Sequence, residues 1–114
     1  MVRTKDLLKV KGMLINPAAL LAKLEAGEDL QIVDVRNAYE YELGAIPGAV
    51  NIPVDELRHR LAELDPVRET VVYDRNGSTA YVAARQLAQQ GFPVASLTGG
   101  FVLFPVAQMQ RVSG

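Results

Sequence analysis

The chain reads as an α/β protein: a single three-layer α/β/α domain built on a mostly parallel sheet of about five strands. Three observations point there. Short apolar runs alternate with helical periods along the chain, the pattern of strands covered by helices on both faces. Thr70-Val71-Val72-Tyr73 is a run of β-branched and aromatic residues, the strongest strand signal present. The chain has 114 residues, 49% of them apolar, which suits one domain with an ordinary core. The domain is expected over residues 15–110, with a lead at 1–14 and a tail at 111–114.

The elements follow in order. Asn16 is a good helix cap and Pro17 a good first helical residue. Leu20, Leu21 and Leu24 then share a face, and Gly27 closes the helix. Residues 31–35 form a buried strand. Asn37 to Leu43, polar and bearing Tyr and Glu, forms a short helix or turn. Pro47-Gly48 marks a turn, and residues 49–52 a second short strand. A helix is expected from Pro53, carrying Leu57, Leu61 and Leu64, and Asp65-Pro66 ends it. Residues 70–73 form the central strand. The polar loop Asp74-Arg75-Asn76-Gly77-Ser78 leads into a helix with Ala80, Ala83, Ala84, Leu87 and Ala88 inward and Gly91 at its end. Residues 93–97 form a further strand, Gly99-Gly100 a turn, and 101–110 a last helix.

Composition removes whole classes of chemistry. There is no cysteine, hence no disulfide, no thiolate nucleophile, no persulfide carrier and no Cys-ligated metal. Net charge is −1. Residues 1–11 hold four basic side chains and one acidic, a net +3. The remainder holds eight basic and twelve acidic, a net −4. A mildly acidic body does not suit nucleic acid, which needs a basic stripe on the folded surface. No window approaches ~18 uninterrupted apolar residues, so no membrane insertion is expected. No secretory signal is legible before Asn16-Pro17, and the expected location is the cytoplasm.

In such sheets, ligands bind beyond the carboxyl ends of the strands. The loop after residues 70–73 also meets a helix N-terminus, where free backbone N–H groups favour anions. As a phosphoryl acceptor, Asp74 would need acidic companions and a positioned Lys, yet every Lys lies at or before position 23. The one histidine, His59, stands between Arg58 and Arg60 and off the leucine stripe, so it reads as a solvated side chain and no metal is expected. Ser78 as a nucleophile lacks a base, and is expected to cap the following helix.

Taken in order, these segments resemble a rhodanese-like domain, the thiosulfate sulfurtransferase fold, from about Ile15 to Phe104. Ile32-Val33-Asp34-Val35-Arg36 is similar to the family's Ile-Asp-Val-Arg strand. Glu40, then Gly44-Ala45-Ile46-Pro47-Gly48-Ala49-Val50-Asn51-Ile52-Pro53, resembles its Glu followed by Gly-His-Ile-Pro-Gly-Ala-x-Asn-Ile-Pro. Glu56-Leu57 is similar to the Glu-Leu that comes next. Gly91-Phe92-Pro93-Val94, then Leu97-x-Gly99-Gly100, resembles the ending, with Phe104 where Trp is common.

The departures converge on one loop. The resemblance implies a catalytic Cys at position 74, where this chain has Asp74. Gly77 matches the loop glycine. Thr79 stands where Arg is usual, Ala80 where Ser is common, and Ala45 replaces the usual His. A carboxylate forms no persulfide, and its fixed charge repels thiosulfate. The residues Asp74, Arg75, Asn76, Gly77, Ser78 and Thr79 are therefore expected to be a vestigial active-site loop. Arg36 and Glu40 are expected to support it as an ion pair or through hydrogen bonds. The Asp74 carboxylate is expected to fill the cradle itself, accepting from N–H groups near Gly77 and Ser78. No cofactor is implied. The resulting expectation is a catalytically degenerate module for binding or regulation, serving a protein partner or a fused domain. The alternative is a sulfurtransferase that works by a non-standard route or with a thiol supplied by its partner.

Overall fold

The computed structural model describes residues 13–106. The basic lead at 1–12, the end of the expected last helix at 107–110 and the tail at 111–114 lie outside the described residues.

Five parallel strands form one sheet in the order β1-β5-β4-β2-β3. They are β1 (Leu14–Ile15), β2 (Gln31–Asp34), β3 (Val50–Asn51), β4 (Thr70–Tyr73) and β5 (Val94–Leu97). Strands β2 and β4 are buried along their whole length, as expected of central parallel strands covered on both faces. The side-chain period of two then divides the core. Val33 and Val72 face one layer with Ile52, Leu57, Leu64 and the helix of residues 78–89. Ile32, Val71 and Tyr73 face the other with Leu20, Ile46, Leu97 and Phe104. β1 is an edge strand in register with Ser96 and Leu97. Two residues before a helix cap carry too little pattern to mark such a strand in the sequence.

Among the described residues, three helices cover the sheet. Helix α1 (Pro17–Glu25) starts where Asn16 accepts from the Ala19 N–H at 2.7 Å and buries Leu20. Helix α2 (Ala38–Leu43) is capped by Asn37, whose side chain accepts from the Glu40 N–H at 2.8 Å. Helix α3 (Ser78–Gln89) buries Ala80, Ala83, Ala84 and Leu87, and this stripe of mostly small side chains packs on the sheet beside β4 and β5. Ala88, expected inward, is exposed.

Two expected helices differ. The segment from Pro53 is not one helix but two 3₁₀ turns, Leu57–His59 and Leu61–Glu63. Arg60 leaves helical geometry between them, at φ −123° and ψ 19°. Leu57 and Leu64 are still buried and Leu61 packs on the same cluster. Leucine spacing reported the burial correctly, since two short turns can present the same side chains as a longer helix. Near the end, Phe101–Leu103 is a single 3₁₀ turn and Phe104 is extended, at φ −81° and ψ 132°, so the expected last helix does not start at residue 101; Val106, the last described residue, is helical. Among the described residues no helix is long and apolar enough to cross a membrane.

Candidate functional site

The C-terminal end of β4 delivers Asp74 to the loop before α3. This carboxylate is 4% exposed. One oxygen accepts from the Gly77 N–H. The other accepts from the Thr79 N–H at 2.7 Å and the Ala80 N–H at 3.1 Å. Gly77 is the capping residue of α3 and has no side chain to satisfy that first turn. Asp74 does so from three residues upstream, and its charge lies at the positive end of the helix dipole. Ser78 does not cap α3, contrary to expectation. It is the first helical residue, and its N–H and hydroxyl both donate to the Asn76 side-chain oxygen, at 3.3 and 3.0 Å. The carboxylate thus takes the N–H groups of Gly77, Thr79 and Ala80, while that of Ser78 goes to Asn76. Arg75, Asn76, Ser78 and Thr79 are exposed.

The loop backbone is clamped from outside by the turn at Gly99-Gly100. The Phe101 N–H donates to the Asp74 carbonyl at 2.8 Å, and the Val102 N–H to that of Arg75 at 3.2 Å. Gly100 sits at φ +67°, and a Cβ there would lie 2.5 Å from the Arg75 carbonyl and the Asn76 nitrogen. Only glycine allows this approach.

Beside the loop, Asp34 is fully buried and Arg36 nearly so. Arg36 Nε lies 3.1 Å from both Asp34 oxygens, and Nη2 lies 2.7 Å from Oδ2. The same Nη2 donates to the Gly44 carbonyl at 2.6 Å, tying the end of α2 to β2. The guanidinium also lies 4.3 Å from the centre of the Phe101 ring. The expected Arg36–Glu40 ion pair does not form. The buried Asp34 carboxylate needs the cation, whereas Glu40 is half-buried at the surface and keeps its hydration. Tyr73 is fully buried, and its hydroxyl oxygen accepts from the Ile46 N–H at 3.0 Å. Burial, reinforced by the Asp34 carboxylate, pushes its phenol well above the usual value of 10.0.

A cleft of about 470 Å³ opens next to this cluster, lined by Arg36, Asn37, Glu40, Leu43, Gly44, Arg75, Phe101 and Val102. Sequence reasoning found Arg36, Glu40 and Arg75 but missed the cleft's apolar members. Leu43 and Val102 lie on short elements with no periodicity to flag them. His59 is exposed on its 3₁₀ turn, where Nε2 accepts from Arg58 at 3.3 Å.

Chemically, the loop has the build of an anion cradle in which the anion belongs to the chain. Both Asp74 oxygens are engaged and turned inward.

Comparison with known proteins gives one answer. The model of the rhodanese-like domain matches residues 16–105. A sulfurtransferase from Allochromatium vinosum is 35% identical over 89 residues, covering 77% of this chain and 83% of that protein. An HTH-type transcriptional regulator from Mycobacterium tuberculosis is 49% identical over 74 residues, covering 65% of this chain. The chain spans only about a third (32%) of that regulator's length. Among solved structures, a rhodanese-related protein from Thermoplasma volcanium superposes with a TM-score of 0.71 at 28% identity, over 80% of this chain and 93% of that one.

Proposed function

The chain belongs to the rhodanese-like family, and we propose that it serves as a binding or regulatory module and does not transfer sulfur. The observation that carries this reading is the Asp74 carboxylate, which stands where the resemblance puts the catalytic thiol and bonds three loop N–H groups. Sulfur transfer by this family needs a thiolate that attacks the donor and holds the sulfur as a persulfide. A carboxylate does neither. With no cysteine among these 114 residues, no thiol of this domain can substitute. Thr79 adds no cation to draw a sulfur-bearing anion inward.

The fold is nevertheless kept in full around the loop. The Asp34–Arg36 pair, the glycine clamp and the cleft give a rigid surface, which is what recognition by a pre-formed site requires. The similarity to one segment of a transcriptional regulator supports a module that works beside other domains or partner proteins. The cytoplasm is the compartment proposed for it.

The direct test is release of thiocyanate from thiosulfate and cyanide by the purified chain. No turnover above the protein-free rate is expected. Steady turnover would overturn the proposal and favour a sulfurtransferase working by a non-standard route. Turnover only with a thiol-bearing partner protein would favour the partner-supplied thiol.

A further inference from the structure

Resting on the binding role proposed above, the geometry points to the cleft beside the loop as the docking site. We infer that it takes a segment of a partner protein in which one large apolar side chain stands between an acidic and a basic residue. Three features of the cleft specify that chemistry.

The first is its apolar mouth. Leu43 is 73% exposed and Val102 62%, and both line the cleft. Two large aliphatic side chains left this open across one opening are costly in water and gain by being covered.

The second is its floor. Phe101 is half-buried and backed by the Arg36 guanidinium at 4.3 Å. Arg36 is held in turn by Asp34 and Gly44, so the aromatic face is fixed in place. A volume of about 470 Å³ accommodates one large side chain with its flanking backbone.

The third is its charge. Arg75 and Glu40 both line the cleft, and among the described residues neither has an ion-pair partner. One cation and one anion on the same opening, both unpaired among the described residues, call for the opposite charges on the occupant. They also fix its direction, because the acid must lie toward Arg75 and the base toward Glu40. A small anion would leave the apolar mouth uncovered and Glu40 unpaired. A nucleic acid would meet Glu40 and two exposed aliphatic side chains.

The test selects a displayed library of random peptides, about seven residues long, on the full chain, with the Val102→Asp variant as counter-selection. Enriched peptides are expected to carry an aromatic or large aliphatic residue flanked by an acid and a base. A synthetic peptide of the winning sequence should bind Val102→Asp about tenfold more weakly than the parent chain. The double variant Arg75→Glu with Glu40→Lys should prefer the peptide with its two charges exchanged. Both variants change exposed or half-buried side chains, and an unchanged melting temperature checks their folds. Absence of enrichment, enrichment without the charge pair, or equal binding to Val102→Asp would overturn the inference. So would binding seen only after removal of residues 107–114, which would assign the cleft to the chain's own end. An inert chain that selects no such peptide contradicts the docking site alone. A chain that selects them yet turns over thiosulfate contradicts the non-catalytic role alone.

Discussion

Arg36→Ala is expected to destabilise the protein by about 3–5 kcal/mol, the largest effect of any single substitution near the site. Removing the guanidinium strands Asp34, which is fully buried and takes three side-chain contacts within 3.1 Å from Arg36. The Gly44 carbonyl loses its donor and Phe101 its backing at the same time. At about 4–8 °C per kcal/mol for a domain of this size, the melting temperature should fall by more than about 12 °C. Arg36→Ala combined with Asp34→Ala should be less damaging than the sum of the two single changes, because the stranded charge is gone. Urea unfolding measures both. A loss below about 1 kcal/mol for Arg36→Ala would mean that water or another group already compensates Asp34.

Asp74→Ala is expected to cost about 2–4 kcal/mol, since three backbone N–H groups at the start of α3 lose a charged acceptor. Asp74→Asn should cost less, because an amide keeps one acceptor oxygen of similar shape. Amide hydrogen exchange should accelerate at Gly77, Thr79 and Ala80 in Asp74→Ala, while the amides of Phe101 and Val102, which bond carbonyls of the loop, change less. An Asp74→Ala variant as stable as the parent would show that the carboxylate is incidental to the loop. The substitution that removes catalysis in this account is thus also a structural asset: the N–H groups that would stabilise a thiolate instead hold this carboxylate as a cap.

The strands and the long helices were legible in the sequence because they are set by residues that act locally or by burial. Asn16-Pro17 favours a helix start through the Asn side chain and the fixed proline φ alone, and Thr70 to Tyr73 reads as a covered strand from its β-branched and aromatic side chains. The 3₁₀ turns around Arg60 were not legible, because leucines at 57, 61 and 64 report which side is buried and not which hydrogen bonds form. The two-residue strand at Leu14 exists only because β5 offers an edge to pair with. At the site, the loop from Asp74 to Thr79 could be placed from its position after the central strand. The partner of Arg36 could not. Asp34 and Glu40 are both near in sequence, and burial, which decides between them, is a property of the folded chain. The cleft was hidden for the same reason, since Leu43 and Val102 come from elements nearly sixty residues apart.

The claim at the centre of this account is that the anion cradle is intact and is filled by the chain's own carboxylate. The measurement that tests it most directly is the intact mass of the double variant Asp74→Cys with Thr79→Arg after incubation with thiosulfate. The first change restores a thiol at the end of β4, and the second restores a cation five residues on, at the start of α3. The cradle N–H groups of Gly77, Thr79 and Ala80 are then free to stabilise a thiolate and its persulfide. The account predicts a folded variant whose thiolate takes the outer sulfur of thiosulfate with release of sulfite, gaining the mass of one sulfur atom as a persulfide, and then gives that sulfur to cyanide as thiocyanate. A variant that is folded, with a cooperative melting transition, and stays unmodified in excess thiosulfate would contradict it.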